Sequence, residues 1–323
     1  MLIWQIFKNH ISEHNLVRPE DKILLAVSGG ADSMVMADLF SRLQKTHGFE
    51  LVIVNFNHNL RKESEKETTI VEKFAEKRKI KFISKHLNTK DFASSLGISL
   101  ETAGRQLRYD NLELIAKTEK CNKIATAHNM NDQAETILMW IIRGTGADGL
   151  SGIPVIRKIN DKITVIRPLL AVKRELIEEY AKKQKIKFCM DKSNFSTDFT
   201  RNKIRLTLMP EIKKINSLAT EHIFELSKIT SRENAYFDKK ISDFYKKNVR
   251  ISPDKIVMKI KPFSKTDISM QYRILRKLTP VKKDSGHINM ILKLARNSKQ
   301  SSLVLSKHWT VLQKKDVIVF TKK

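Results

Sequence analysis

The chain has 323 residues, enough for more than one domain with a core in each. Lys and Arg total 61 against 35 Asp and Glu, a net charge of +26 that makes a polyanion the natural partner. Two cysteines, Cys121 and Cys189, build neither a disulfide framework nor a metal site, and a reduced, cytoplasmic protein fits that usage.

Residues 1–16, MLIWQIFKNHISEHNL, are apolar at helical spacing but carry Lys8, His10 and Glu13. They lack a basic start and a small-residue cleavage site, so they read as an amphipathic helix rather than a signal peptide. No apolar run approaches the roughly 18 residues of a membrane span.

Residues 23–27 form a continuous apolar run, as expected of a buried strand. Ser28, Gly29 and Gly30 turn the chain, and Met36, Leu39, Phe40 and Leu43 follow at helical spacing. A glycine turn between strand and helix aims backbone N–H groups and the positive end of the helix dipole at one point, which suits an anion. The motif is neither a Walker A loop nor GxGxxG. Ser28 and Ser33 add hydroxyl donors. Asp32 is an odd neighbour for phosphate unless a cation lies between them, which points to Mg²⁺. A serine-capped helix after a glycine turn is the plain alternative.

A second buried strand is expected over residues 51–56, a basic amphipathic helix over 64–78 and a third strand over 81–86. Helical patterning returns over 100–120. There Arg105 and Arg108 share a face suited to bidentate phosphate contacts. A fourth strand is expected over 123–127. In the helix that follows, Ala134, Ile137, Leu138, Ile141 and Ile142 form the apolar stripe. Asn129 or Asn131 caps it, and Asp132 and Glu135 lie three apart on its other face. An acidic residue beside this strand end, opposite Asp32, completes a Mg²⁺ site on a triphosphate; a plain helix-dipole partner is the other reading of such a carboxylate.

Residues 144–154 are glycine-rich and read as a mobile flap or a substrate contact. Residues 163–169 look extended and 173–184 helical. In the stretch DKSNFSTDFTRNKIR, Arg201, Asn202 and Arg205 converge near a helix start. Strands alternating with helices imply an α/β fold with a parallel sheet covered on both faces, with ligands beyond the carboxyl ends of the strands.

A long charged helix or helix pair over 211–247 bridges to a different kind of sequence. Residues 250–323 hold eighteen Lys or Arg against four Asp and no Glu, a net +14. They read as a small α+β module with a strand at 255–260, helices at 267–278 and 286–295, and strands ending at 317–320. So basic a surface reads as a docking face for nucleic acid; a merely solvated Lys-rich surface is the alternative.

Ser-Gly-Gly-x-Asp-Ser resembles the signature of the N-type ATP pyrophosphatases, the PP-loop family, which cut ATP between its α and β phosphates. The ordered set SGGADS, FNHNLR, GRQLRY, HNMNDQAET, IRPLL, DKSN and TRNKIR, spanning roughly residues 20–210, resembles the bacterial tRNA(Ile)-lysidine synthetase family. The basic module resembles that family's first C-terminal domain, and a further domain of longer members is expected to be missing. One departure is Asn55, where the family usually has His.

The resemblance implies a PP-loop catalytic domain over 1–210, a helical linker over 211–249 and a basic tRNA-binding domain over 250–323. It implies ATP and Mg²⁺ as cofactors, and free L-lysine and an isoleucine tRNA with a CAU anticodon as partners, with no membrane and with a homodimer left open. Ser28, Gly29, Gly30, Ala31, Asp32, Ser33, Asn57 and His58 would bind ATP. Asp32, Asp132, Arg105 and Arg205 would be catalytic, and Asp32 and Asp132 would hold the metal. Asp132, Glu135 and Arg205 would bind lysine, and Arg61, Arg108, Arg174, Arg201 and Asn202 would contact tRNA or phosphate. Two other functions stay open: a PP-loop tRNA thiolase, and a catalytically idle RNA-binding protein.

Overall fold

The structure is a computed structural model that describes residues 2–57, 64–189, 200–279, 285–296 and 301–322. His58, Arg61 and the DKSN segment lie outside the described residues. The chain divides into two compact units, Met1–Thr230 and Ser231–Lys323.

The first unit opens with α1 (Leu2–Glu13), β1 (Lys22–Ala26), α2 (Ala31–His47) and β2 (Glu50–Asn57). Next come α3 (Ser64–Lys77), β3 (Lys81–His86), α4 (Thr89–Leu96), α5 (Leu100–Thr118), β4 (Lys123–Ala125) and α6 (Met130–Arg143). It continues through α7 (Ala147–Leu150), β5 (Ile156–Lys158), β6 (Thr164–Ile166), α8 (Arg174–Lys183), α9 (Thr200–Lys203) and α10 (Met209–Ile215). The sheet order is β3-β2-β1-β4-β6-β5, parallel except for the antiparallel edge pair β5–β6.

Side chains of the central strands alternate between two cores, as the period of a strand requires. Ile23, Leu25, Leu51 and Ile53 face the core built with Phe7 of α1, Phe40 of α2 and Tyr180 of α8. Leu24, Val52 and Val54 face the other, with Leu112 and Ala116 of α5. Burial on both faces explains why the strands read as unbroken apolar runs, and it confirms the α/β expectation. β5 was not anticipated: its three residues are all exposed, so neither alternation nor an apolar run marks it.

Helix α11 (Ala219–Asn248) runs through the boundary between the units. The second unit adds β7 (Val249–Ser252), β8 (Lys255–Lys259), α12 (Ile260–Ser264), α13 (Ile268–Leu278), α14 (Ser285–Arg296), β9 (Ser302–Ser306), β10 (Trp309–Lys314) and β11 (Val317–Lys322). Its sheet, ordered β7-β8-β11-β10-β9, is antiparallel throughout. Met258, Ile274, Ile291, Val311 and Phe320 centre a core of its own.

Candidate active site

The glycine turn leaves β1 where Val27 still donates to the Val54 carbonyl at 2.9 Å. Gly29 has φ +92°, a conformation only glycine adopts freely, and a Cβ there would also meet Glu67 at 3.2 Å. Gly30 caps α2 with ordinary extended backbone and no side-chain hydrogen bond, so the first-turn N–H groups of α2 remain for an anion. The two serines brace this loop from within. Ser33 Oγ donates to the Gly30 carbonyl at 3.0 Å and accepts from the Ser28 amide at 3.1 Å. Its proton thus committed, the 3.2 Å contact between the hydroxyls has Ser28 as donor.

Asn55 and Asn57 end β2, both buried. The Asn55 amide donates to the Val27 carbonyl at 2.8 Å and its oxygen accepts from Thr68 at 2.9 Å, so it ties the end of β1 to α3.

Asp132 and Asn129 form a reciprocal capping box at the start of α6, each 3.0 Å bond running from one residue's amide to the other's side chain. One turn of α6 brings Glu135 alongside. Opposite stand Arg201 and Arg205, four apart across a π-helical turn, Ile204–Leu208. Arg205 Nε and Nη2 donate to the two Glu135 oxygens at 2.7 and 2.9 Å. Arg201 Nε donates to Glu135 at 2.9 Å, and both guanidiniums reach Asp132 Oδ1 at 3.1 Å. Glu135 is almost fully buried. Burial alone would lower the Arg205 pKa, but the bonds and charge of Glu135 raise it.

Arg174, at the start of α8, joins this array to the glycine turn. Its Nη2 lies 3.6 Å from Asp32 and 3.7 Å from Asp132, and its backbone amide donates to Asn131 at 3.0 Å. Its buried Nε has no hydrogen-bond partner. Asp32 is where charge is least balanced: burial, offset only in part by Arg174, pushes its carboxyl up to about 6. A half-buried carboxylate short of counter-charge is a fitting donor for a hard cation. Asp132 is more fully engaged, because three guanidiniums already share its Oδ1.

Beside the array lies a strongly basic pocket. Arg105, Arg108 and Arg157 stand over the Tyr109 ring at 5.3, 5.7 and 4.4 Å from its centre. Arg167, just after β6, is buried. Burial pulls the pKa of Arg108 and of Arg167 below the ordinary arginine value. Burial would raise the Tyr109 phenol, but Arg167, Arg108, Arg105 and Arg157 together bring it below its usual value. His128 is held well below its ordinary value by burial and then by Arg167, Arg108, Arg201 and Arg105. A neutral imidazole among four guanidiniums marks a pocket that an anion would complete.

Of the anticipated residues, the structure brings Asp32, Asp132, Glu135, Arg174, Arg201 and Arg205 into one network, with Arg105 and Arg108 in the adjoining pocket. Ala31 opens α2, and Asn202 sits in α9 between the two paired arginines. Tyr109, His128, Arg157 and Arg167 were not anticipated as site residues. GRQLRY, HNMNDQAET and IRPLL contain three of them, but Arg157, on the exposed edge strand, carries no signal. The glycine-rich loop is anchored rather than loose at its far end: Gln133 Nε2 donates to the Ser151 carbonyl and to Ser227 Oγ, and its oxygen accepts from Ile153 at 2.6 Å. Gly152, at φ +62°, admits this amide where a Cβ would sit 2.6 Å from it.

A glycine turn at a parallel-strand end, facing carboxylates on the next strand's helix and a cationic pocket, defines an α/β protein built to handle a polyphosphate. The family model described as PP-loop domain matches residues 3–212. A tRNA(Ile)-lysidine synthase of Clostridioides difficile (strain 630) is 36% identical over 323 residues, covering 96% of this chain and 69% of that one. One from Thermosipho africanus is 42% identical, covering 66% of this chain and 48% of that one, and one from Petrotoga mobilis is 41% identical over 70% of each. This chain therefore spans between about half and 70% of the length of these relatives. Among solved structures, the U34-tRNA thiolase of Methanococcus maripaludis shares the fold, with a TM-score of 0.61 at 19% identity over 71% of this chain and 78% of that one. The chain belongs to the tRNA(Ile)-lysidine synthase family of PP-loop proteins.

Proposed function

We propose that this chain uses ATP to join free L-lysine to the wobble cytidine of an isoleucine tRNA with a CAU anticodon, releasing AMP and pyrophosphate. The observation that carries this reading is the unbroken network from the Asp32 turn through Arg174 and Asp132 to Glu135, Arg201 and Arg205, in a chain of this family.

The base carbonyl oxygen attacks the α-phosphate, pyrophosphate leaves, and the cytosine oxygen becomes a leaving group. The lysine ε-amine then attacks the activated carbon, the C–O bond breaks and AMP departs. The N–H groups at the start of α2 receive the phosphates, and the Arg105–Arg108–Arg167 pocket takes the nucleotide's remaining negative charge. Asp32, with Asp132 beside it, would hold Mg²⁺, which neutralises charge on the triphosphate.

Lysine is a zwitterion with an extra ammonium, and alternating carboxylates and guanidiniums match it. Asp132, with Glu135 held behind it, would meet the ammonium, and Arg205 the carboxylate. The ε-amine, with an ordinary pKa of about 10.4, must lose a proton before it attacks, and a carboxylate such as Asp132 or Glu135 would accept it. Arg201 and Arg205 hold Glu135 in position.

Thiolation is not favoured: burial pushes the Cys121 thiol up to about 11 and raises Cys189 as well, the opposite of an activated thiol. The deciding experiment supplies ATP, Mg²⁺, labelled lysine and unmodified isoleucine tRNA. Label fixed covalently to the RNA, dependent on ATP, is expected. ATP turnover without any label on the RNA would overturn the proposal.

A further inference from the structure

The last turn of α1 and the residue after it spell His-Ile-Ser-Glu-His, and no step of the proposed reaction uses them. His10 and His14 are one helical turn apart and therefore neighbours on one face. Their rings meet edge to face with centres 4.7 Å apart. Glu13, beside them, completes a set in which one donor atom from each residue lies within 4.8 Å of the others. His10 is 4% exposed, and its Nε2 is enclosed without a hydrogen-bond partner. A buried imidazole nitrogen left unpaired next to a second imidazole is costly as a packing element and useful as a ligand. Burial also favours the neutral ring, whose lone pair a metal needs.

We propose that His10, Glu13 and His14 bind a divalent transition ion of the zinc class, with water completing the shell. Two imidazoles and one carboxylate form a borderline-soft donor set that suits Zn²⁺ and disfavours Mg²⁺, which takes oxygen ligands. Ligand distances of about 2.0–2.1 Å around a tetrahedral ion put donors roughly 3.3 Å apart. The observed spacing closes to that by rotation of Glu13, which is exposed, and His14, which is half-buried. The H-x-x-E-H spacing also occurs in zinc peptidases, where a further protein ligand joins the two histidines. Among the described residues no such further ligand joins this group.

Two groups from other elements act on His10. The Arg167 backbone is one, favouring the protonated ring against the lowering effect of burial. Lys228 also acts on His10, but its ammonium is paired with Glu225 at 3.0 Å, which offsets its charge.

The test uses the full chain, stripped by chelator and titrated with Zn²⁺ in a calorimeter, with Co²⁺ absorption reporting the coordination. One ion per chain is expected, with a rise in melting temperature and Co²⁺ bands of tetrahedral strength. His14→Ala and Glu13→Gln, both outside the core, are expected to weaken binding at least tenfold and to abolish the thermal shift. Asp32→Asn is expected to bind Zn²⁺ as the unmodified protein does. Absence of a stoichiometric ion, or an ion that His14→Ala and Glu13→Gln both retain at full affinity, would overturn the assignment. Lysine transfer to tRNA by His14→Ala in metal-chelated buffer with Mg²⁺ restored is expected to be intact, so this proposal and the proposed activity fail separately.

Discussion

Asp32 is the residue at which folding and the proposed function pull apart. Its usual carboxyl pKa of 3.8 is raised to about 6, first by burial and then by Asp132, against the pull of Arg174. The folded chain therefore holds a proton between about pH 4 and 6 that the unfolded chain gives up. Stability from this group is greatest below that window, falls as pH rises through it and stays low above it. Asp32→Asn should raise the melting temperature of the ligand-free protein at pH 8 by about 2–4 °C, with no gain at pH 4. The same substitution should slow ATP–pyrophosphate exchange about 100-fold or more, since a charge placed for the transition state is lost. Calorimetry at two pH values and an exchange assay check both halves; a destabilised but fully active variant would contradict the reading. If this carboxylate holds Mg²⁺ as proposed, protons compete with the ion, and the Mg²⁺ concentration for half-maximal exchange should climb as pH drops below 6. Glu135 makes the complementary case. Glu135→Gln leaves Arg201 and Arg205 facing a neutral amide, and lysine incorporation should fall at least tenfold further than ATP–pyrophosphate exchange. Equal losses in the two assays would refute its assignment to lysine.

Among the elements, α2, α3 and α8 are stapled by a polar knot away from the site. Asp38 of α2 is buried, takes a guanidinium hydrogen bond from Arg78 just past α3, and accepts from Tyr180 of α8 at 2.7 Å. Arg42 closes the knot by donating to the Tyr180 hydroxyl at 2.8 Å. Asp38→Ala leaves Arg78 without its carboxylate and Tyr180 without its acceptor. It should cost about 3–5 kcal/mol, read from denaturant midpoints, because breaking a buried pair strands its partner. Activity per folded molecule should be unchanged, since none of these side chains touches the carboxylate–guanidinium array. The same elements show what sequence can and cannot reveal. β1, β2 and α6 were legible because burial on two faces, or on one helical stripe, writes an apolar period into the chain. Asp132 and Glu135 were legible for the same reason, being the polar remainder of that stripe. Their pairing with Arg201 and Arg205 was not, because ion pairs across some 70 residues leave no periodic trace. Arg157 was invisible for a further reason: its strand is three exposed residues long, and only the fold brings it over Tyr109.

At the scale of the whole molecule, charge separates into two tasks. In the active site guanidiniums and carboxylates are nearly matched, and the local surplus lies in the pocket around Tyr109. The chain's net +26 is instead spread over surface lysines, many in the second unit, where Lys255, Lys261, Lys265, Lys293, Lys314 and Lys315 are all exposed. Matched charges, if they take lysine as proposed, would recognise it by geometry. Unmatched exposed ones act through counterion release, which has little geometry and depends steeply on salt. If the second unit supplies phosphate contacts to tRNA, affinity should fall about 10³-fold or more between 50 and 200 mM salt, as for a protein neutralising six or more phosphates. Lys314→Glu combined with Lys315→Glu should weaken tRNA binding at low salt and flatten that dependence by about one unit of slope for each phosphate no longer neutralised. The two lysines lie at the tip of the β10–β11 hairpin and pack against no core side chain of the described residues, so folding should be unaffected. The Michaelis constants for ATP and lysine should also stay unchanged. Fluorescence anisotropy with labelled tRNA across a salt series separates the outcomes. An unchanged slope in the double variant would move the docking face away from this hairpin, while a changed lysine constant would mean that the two charge systems are not independent.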